Sequence, residues 1–333
     1  MNGDFSPPLA SNIFSSLSLP IIAAPMFLVS TRESVVSACR SGIIGSCPAL
    51  NLRSSEDLER FLTDVEKGIA LGPVAGIERC GPHSINLVTH RTNPRLQSDL
   101  EVVIRKKIPV VITSLGADKG IVERIHEYGG IVLHDVVSVR HAKLALEAGV
   151  DGIIAVTHGA GGHAGTLHPF PFLHELRALT EKPIILAGAV STGQQVAAAI
   201  VAGASMVSVG TRFIAVSESG VSPEYRQMIV DSSSSEITYT PRLSGVNANF
   251  MTKSIEAAGV DLSALKVPDG VSFGGEGKEL AKADTGDAKV YVDIWSAGQG
   301  VGSIDSVASV YDVVAEMRSD FKAAIAKIAG RYL

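Results

Sequence analysis

"GIVLHDVVSVRHAKLALEAGVDGIIAV", Gly130–Val156, reads as strand, helix, strand. Its two ends, "GIVLHDV" and "DGIIAV", are nearly continuous apolar runs rather than alternating ones, the pattern of strands covered on both faces. The middle, "SVRHAKLALEAGV", puts Val139, Ala142, Leu144, Ala145 and Ala148 on one helical face and stops at Gly149, a natural C-cap. The same unit recurs in both directions. Further apolar runs begin at Pro20 ("PIIAAPM"), Gly42 ("GIIGSC"), Ser84 ("SINLV"), Pro109 ("PVVITSL"), Pro183 ("PIILAGA") and Ser205 ("SMVSVGT"), and "GQQVAAAIVAGA" repeats the helix and ends at Gly203. Eight strand–helix alternations predict a (β/α)8 TIM barrel of the α/β class. A doubly wound parallel sheet is the alternative packing of the same units.

The rhythm stops near Ser232. From there to Gly302 the chain is irregular, with "SSSSEITYTPRLSGVNANFMTKS" followed by the glycine-rich "VPDGVSFGGEGKE". The expected division is a barrel over 1–231, a small cap or substrate subdomain over 232–302 inserted after strand eight, and over 303–333 a C-terminal helix, from about Ile304 to Arg331, packing back on the barrel. A chain of 333 residues, 46% hydrophobic, supplies a core of that size. Only 19% of residues are charged and the net charge is −5, which leaves no basic footprint for nucleic acid or a membrane surface. Cys39, Cys47 and Cys80 have no metal-ligand spacing and read as buried thiols in a reducing cytoplasm. The start, "MNGDFSPPLASNIF", lacks the basic and apolar regions of a signal peptide, and no apolar run approaches the ~18 residues of a membrane span.

Barrel enzymes place their chemistry at the C-terminal ends of the strands. There the sequence has Ala24-Pro25-Met26 after strand one, Asn86 near the end of strand three and Asp135 on strand five. "HGAGGHAG" (His158–Gly165) follows strand six, "AGAVSTG" (Ala187–Gly193) strand seven and "VGTRF" (Val209–Phe213) strand eight. Glycine-rich loops after the last two strands, with a helix N-terminus, form the common phosphate site of such barrels. No loop matches the phosphate-binding P-loop or the dinucleotide fingerprint, so a single phosphate suits flavin mononucleotide (FMN) better than a dinucleotide. In "HGAGGHAG" the glycines let backbone approach a ligand, and His163 supplies a group that titrates near neutral pH. The bland readings are a satisfied loop histidine for His163 and a turn contact for Asn86. His134 reads as structural and Arg212 as a salt-bridged brace of the rim. Trp295 reads as wall of the pocket or as packing for the last helix.

Taken together, "APM" at Ala24, "AGGHAG" at Ala160, "AGAVSTG", "GTRF" and "DIWSAGQGVG" (Asp293–Gly302) make nearly the whole chain resemble the nitronate monooxygenases, formerly called 2-nitropropane dioxygenases. The resemblance implies an FMN-dependent TIM barrel with a small second domain. It implies His163 as catalytic residue and flavin contacts at Ala24, Pro25, Met26, Asn86, Gly161, Gly162, Ala187, Gly188, Ala189, Ser208, Val209, Gly210 and Thr211. His158, Trp295 and Gln299 fall to the substrate pocket, and no metal is implied. The implied reaction oxidises nitronates or nitroalkanes with O2 to carbonyl compounds and nitrite. Family members also include NAD(P)H:quinone and flavin enoyl-thioester reductases, which supply the alternative activity. A flavin-free isomerase or lyase is a third reading, opposed by the lack of lysine or paired carboxylates at the strand ends. The chain departs from common family residues at Val156 (Gln or Asp), Gly159 (Glu) and Asp135 (Lys in some quinone reductases). A small-molecule substrate and O2 are the expected partners, neither nucleic acid nor membrane is expected, and a homodimer is compatible with these features.

Overall fold

The computed structural model describes residues 14–265 and 282–332. Eight parallel strands follow one another around a closed barrel: β1 (Ile21–Ala23), β2 (Ile44–Pro48), β3 (His83–Val88), β4 (Val110–Ser114), β5 (Ile131–Val136) and β6 (Gly152–Val156), then, past a two-residue strand β7 (Gly162–His163) outside the barrel, β8 (Ile184–Ala187) and β9 (Met206–Val209). β9 pairs back onto β1, with Ile22 opposite Ser208. That closure leaves no sheet edge and decides against the doubly wound alternative.

Side chains alternate between two sides of each strand. Ile22, Ile44, Ile112, Leu133, Ile154, Ile185 and Met206 fill the barrel interior. Ile85, Val111, Val132, Ile153, Ile184 and Val207 face the helices. Continuing the inward parity to the C-terminal ends brings Asn86, Ser114, Asp135, Val156, Ala187 and Ser208 to the inner mouth.

The helices between strands are α1 (Arg32–Arg40), α2 (Ser55–Ile69), α3 (Leu96–Arg105), α4 (Lys119–His126), α5 (Val139–Glu147), α6 (Pro169–Arg177) and α7 (Gly193–Val201). Thr31, Ser54, Asp118, Ser138 and Thr192 cap their N-termini by accepting from a backbone N–H. α5 buries Ala142 and Ala145, with Ala148 buried just past its end. Leu144, expected on that face, is exposed instead. Two residues of helix turn it about 200° from Ala142, onto the solvent side.

After β9 come α8 (Pro223–Val230), β10 (Ile237–Thr240), β11 (Ala248–Met251) and α9 (Thr252–Ala257). β10 and β11 form an antiparallel sheet, and its third strand is β7, carried in from the loop after β6. The closing helix α10 (Val310–Tyr332) begins later than expected, because the Ser309 hydroxyl accepts from Asp312 N at 3.1 Å and Ala308 still bridges to Val216. α10 crosses α7 at close range: a Cβ on Gly193 would lie 1.9 Å from the carbonyl oxygen of Met317.

Cys39 and Cys47 are buried, and burial pushes both thiols up to about 12. Cys80 is only half-buried, unlike the expectation, and its shift upward is also caused by desolvation. Among the described residues no helix is long and apolar enough to cross a membrane, and no three His, Cys, Asp or Glu could hold a metal. Residues 1–13 and the glycine-rich Val267–Glu279 lie outside the described residues.

Candidate active site

The loop after β6 is held backbone against backbone. Gly159 O accepts from Ala189 N (3.2 Å) and from Gln299 N (3.0 Å). A Cβ on Gly161 would lie 2.8 Å from Gly298 N, and one on Gly298 would lie 2.4 Å from Gly159 O. Gly161 is therefore required by the loop facing it, and not only by a ligand. Asn249 of β11, fully buried, donates both protons of its Nδ2, to His158 O and Ala160 O, each at 2.7 Å. Gly162 has a φ of +64°, and the chain then enters β7, where His163 pairs with Ala248.

His163 lies exposed at the mouth with its ring edge-on to Tyr291, centroids 6.3 Å apart. Protein around the ring desolvates it enough to lower its pKa below the ordinary histidine value. His158 turns away: its ring stacks on His168 and Nδ1 lies 3.4 Å from Leu167 O. Gln299 sits beside Gly159. Trp295 stacks on Tyr225 at 4.7 Å and donates from Nε1 to Val292 O, which accounts for it as packing of the small subdomain.

The loops after β8 and β9 complete the rim. Gly188 has a φ of +121°, and a Cβ there would lie 2.4 Å from Thr157 Oγ1. Ala189 follows at +56°. The N-terminus of α7 is closed by its own capping box: Ser191 N and Thr192 N donate to Gln195 Oε1, and Gln195 N to Thr192 Oγ1. Those amides, expected to face an anion, are engaged within the helix. Ser191 Oγ is buried with no partner among the described residues. Ser208 and Val209 end β9 on opposite faces, Ser208 inward. Gly210 is different from the other rim glycines. Its φ of −103° suits any residue, and a Cβ would meet only Met26 Sδ at 3.5 Å and Ala24 Cβ at 3.8 Å. Among the described residues no protein atom requires glycine there, which fits a ligand's close approach. Thr211 Oγ1 accepts from Gly298 N at 2.9 Å. Arg212 braces the rim by donating to the carbonyls of Ala215 (3.2 Å) and Ser306 (3.1 Å), and not through the expected salt bridge.

The loop after β1, Ala24-Pro25-Met26, is pinned by Asn51, whose Nδ2 donates to Met26 O and Ser30 O. Around the mouth Phe27, Leu28, Leu50, Leu115, Val246 and Val292 are exposed. Leu28, Leu115 and Tyr291 hold positive φ values of 62°, 63° and 70°, costly for bulky side chains and found most often at binding sites. Phe27 meets Tyr291 edge-on at 6.4 Å, joining the two sides of this apolar rim.

On the inner mouth, Asn86 donates to Ser114, and Ser114 to Asp135. Val156 places an apolar side chain beside them on β6. His134 faces the other way, 2.7 Å from Thr113 Oγ1, and burial lowers its pKa to about 4, as for a neutral structural histidine. Sequence reading missed Ser114, Asn249, Tyr291 and Gly298. Only Gly298, within "DIWSAGQGVG", carried a motif that could have found it.

A family model described as nitronate monooxygenase matches residues 78–320. The nitronate monooxygenase of Paraburkholderia phytofirmans is 27% identical over 293 residues, covering 73% of this chain and 76% of that protein. Among solved structures, FabK of Thermotoga maritima superposes with a TM-score of 0.75 at 22% identity, covering 98% of this chain and 99% of the other. Nitroalkane oxidase of Streptomyces ansochromogenes gives 0.74 at 18% identity, over 96% and 100% of the two chains.

Proposed function

The chain belongs to the nitronate monooxygenase family, and on that premise we propose that it binds FMN and oxidises nitronates or nitroalkanes with O2 to carbonyl compounds and nitrite. The observation that carries this reading is the position of His163. Strand β7 fixes its backbone at the barrel mouth, and Tyr291 flanks its ring. The lowered pKa leaves the imidazole neutral at neutral pH, the state a general base needs. A nitroalkane has a weakly acidic α-carbon whose proton such a base can take. A nitronate is already an anion, and the same side chain can only bind and orient it. Gly188, Gly210 and Thr211 would hold the phosphate end of the cofactor, and Met26 and Asn86 its ring. The bound flavin would supply the electron transfer between nitronate and oxygen. The apolar rim excludes water and suits an alkyl-bearing nitro compound.

The test compares nitroethane with ethylnitronate in wild type and His163→Ala, following oxygen uptake. The loss on nitroethane should exceed that on ethylnitronate by ~10²–10⁴-fold, the usual worth of general-base catalysis. Equal losses, mainly in kcat/KM, would leave His163 an anion-binding residue. Near-wild-type rates on both would remove it from the mechanism. NADPH should reduce the flavin only slowly without oxygen. Reduction fast enough to sustain quinone turnover would replace this reading by a reductase.

A further inference from the structure

Three side chains at the inner mouth form a one-way hydrogen-bond chain. Asn86 Nδ2 donates to Ile112 O (3.3 Å) and to Ser114 Oγ (2.7 Å), and Ser114 Oγ lies 2.5 Å from Asp135 Oδ2. The direction is forced. Ile112 O can only accept, so the nitrogen of the Asn86 amide must be the atom on that side. Ser114 Oγ then accepts a hydrogen bond from Asn86 and donates its own O–H to Asp135 Oδ2. Oδ2 is an acceptor whatever the state of the carboxyl. A proton held by Asp135 therefore sits on Oδ1.

Among the described residues no cation pairs with this carboxyl. Among those residues, burial raises its pKa and the Ser114 hydroxyl, donating to it, lowers it. At this level the adjacent strands offer Ser114 on β4 and Val156 on β6 to the interior, and neither titrates. His134 faces outward against Thr113. In the loop above, His158 turns to His168, and the titratable groups at the mouth among the described residues include His163 and Tyr291, whose phenol is held above its ordinary pKa by burial. An ionisable side chain kept without an ion partner burdens the fold, and such groups concentrate in functional sites.

We propose that Asp135 is a proton-holding member of the site, set by Asn86 and Ser114 to donate Oδ1–H to an electron-rich oxygen of the bound ligand. The proposal rests on the reading of the barrel mouth as the flavin and substrate site. Burial pushes the carboxyl up to about 6, and an oxyanion placed against Oδ1 raises it further. The proton is then kept at neutral pH while the ligand is in place. A flavin carbonyl and a nitronate oxygen share this acceptor chemistry.

The flavin-loaded protein tests it through the visible absorption of the bound flavin between pH 5 and 9, with and without nitrate as a redox-inert oxyanion. Wild type should show a one-proton transition. Asp135→Asn should lose it and His163→Ala should keep it. Ser114→Ala should move it up by about one pH unit, because the carboxylate loses the bond that favours its charged form. A transition without nitrate assigns the acceptor to the cofactor, and one seen only with nitrate assigns it to the substrate position. Persistence of the transition in Asp135→Asn, or its absence from wild type in both arms, would overturn the proposal. Thermal unfolding of the same variants gives a readout that needs neither flavin nor turnover. The folded state holds this proton more tightly than the unfolded state, so wild type loses stability as pH climbs from about 4 through about 6. Asp135→Asn should match wild type at pH 4 and melt several degrees higher at pH 8. A lower melting temperature at pH 8 would mark a purely structural carboxylate. Both readouts survive a failure to oxidise nitroalkanes, so the two readings can fail separately.

Discussion

Single residues at the mouth separate what the fold needs from what a ligand needs. Gly188 serves the fold: its φ of +121° and the 2.4 Å approach to Thr157 Oγ1 mean that any side chain strains the loop itself. Gly210 has neither constraint. Gly210→Ala should therefore leave the melting temperature of the flavin-free protein within about a degree of wild type, while flavin retention on gel filtration falls. Gly188→Ala should lower both. Full flavin occupancy in Gly210→Leu would remove the loop after β9 from the phosphate site. The same contrast revises the reading of "HGAGGHAG": Gly161 is tied to Gly298 by packing, and Gly162 supplies the positive φ that turns the chain into β7.

At the scale of elements, the loop after β6 owes its shape to β11. Asn249 holds the carbonyls of His158 and Ala160, which no other side chain answers among the described residues. Asn249→Ala should cost about 2 kcal/mol in unfolding by denaturant, and nitrite production should fall with it, because His163 lies in the same loop as those carbonyls. Unchanged stability would show that water replaces the amide without penalty. The strands were legible in the sequence because burial on both faces demands continuous apolar runs, as in "DGIIAV", and the helix ends because Gly149 and Gly203 must take positive φ. Leu144 was misread because several apolar residues in α5 allow more than one face to look buried. Asn249 was not legible at all. Its meaning lies in partners 91 and 89 residues away, and nothing in "NANFM" marks the contact. The Ser114–Asp135 pair was hidden for a related reason: only barrel closure tells which parity of each strand faces inward.

Across the whole molecule, α10 packs the end of the described chain back onto α7 of the barrel. It crosses α7 where Gly193 lets the two backbones meet, and α7 opens directly after the loop that carries Gly188. Gly193→Ala would press a methyl group against Met317 O. The variant should lose at least ~2 kcal/mol and expose the start of α10 to limited proteolysis, whereas Gly330→Ala, with open space around it, should change neither. Equal protease resistance in all three proteins would show that α10 docks independently of α7. The three-stranded sheet has a different consequence, for heredity and engineering alike. Its middle strand β11 and its edge strand β10 come from late in the chain, but the other edge, β7, belongs to a barrel loop encoded some 85 residues earlier, as the Ala248–His163 pairing records. The three-stranded sheet is thus not a cassette. Recombination or grafting that exchanges the later segment alone separates a histidine from the strand that holds it.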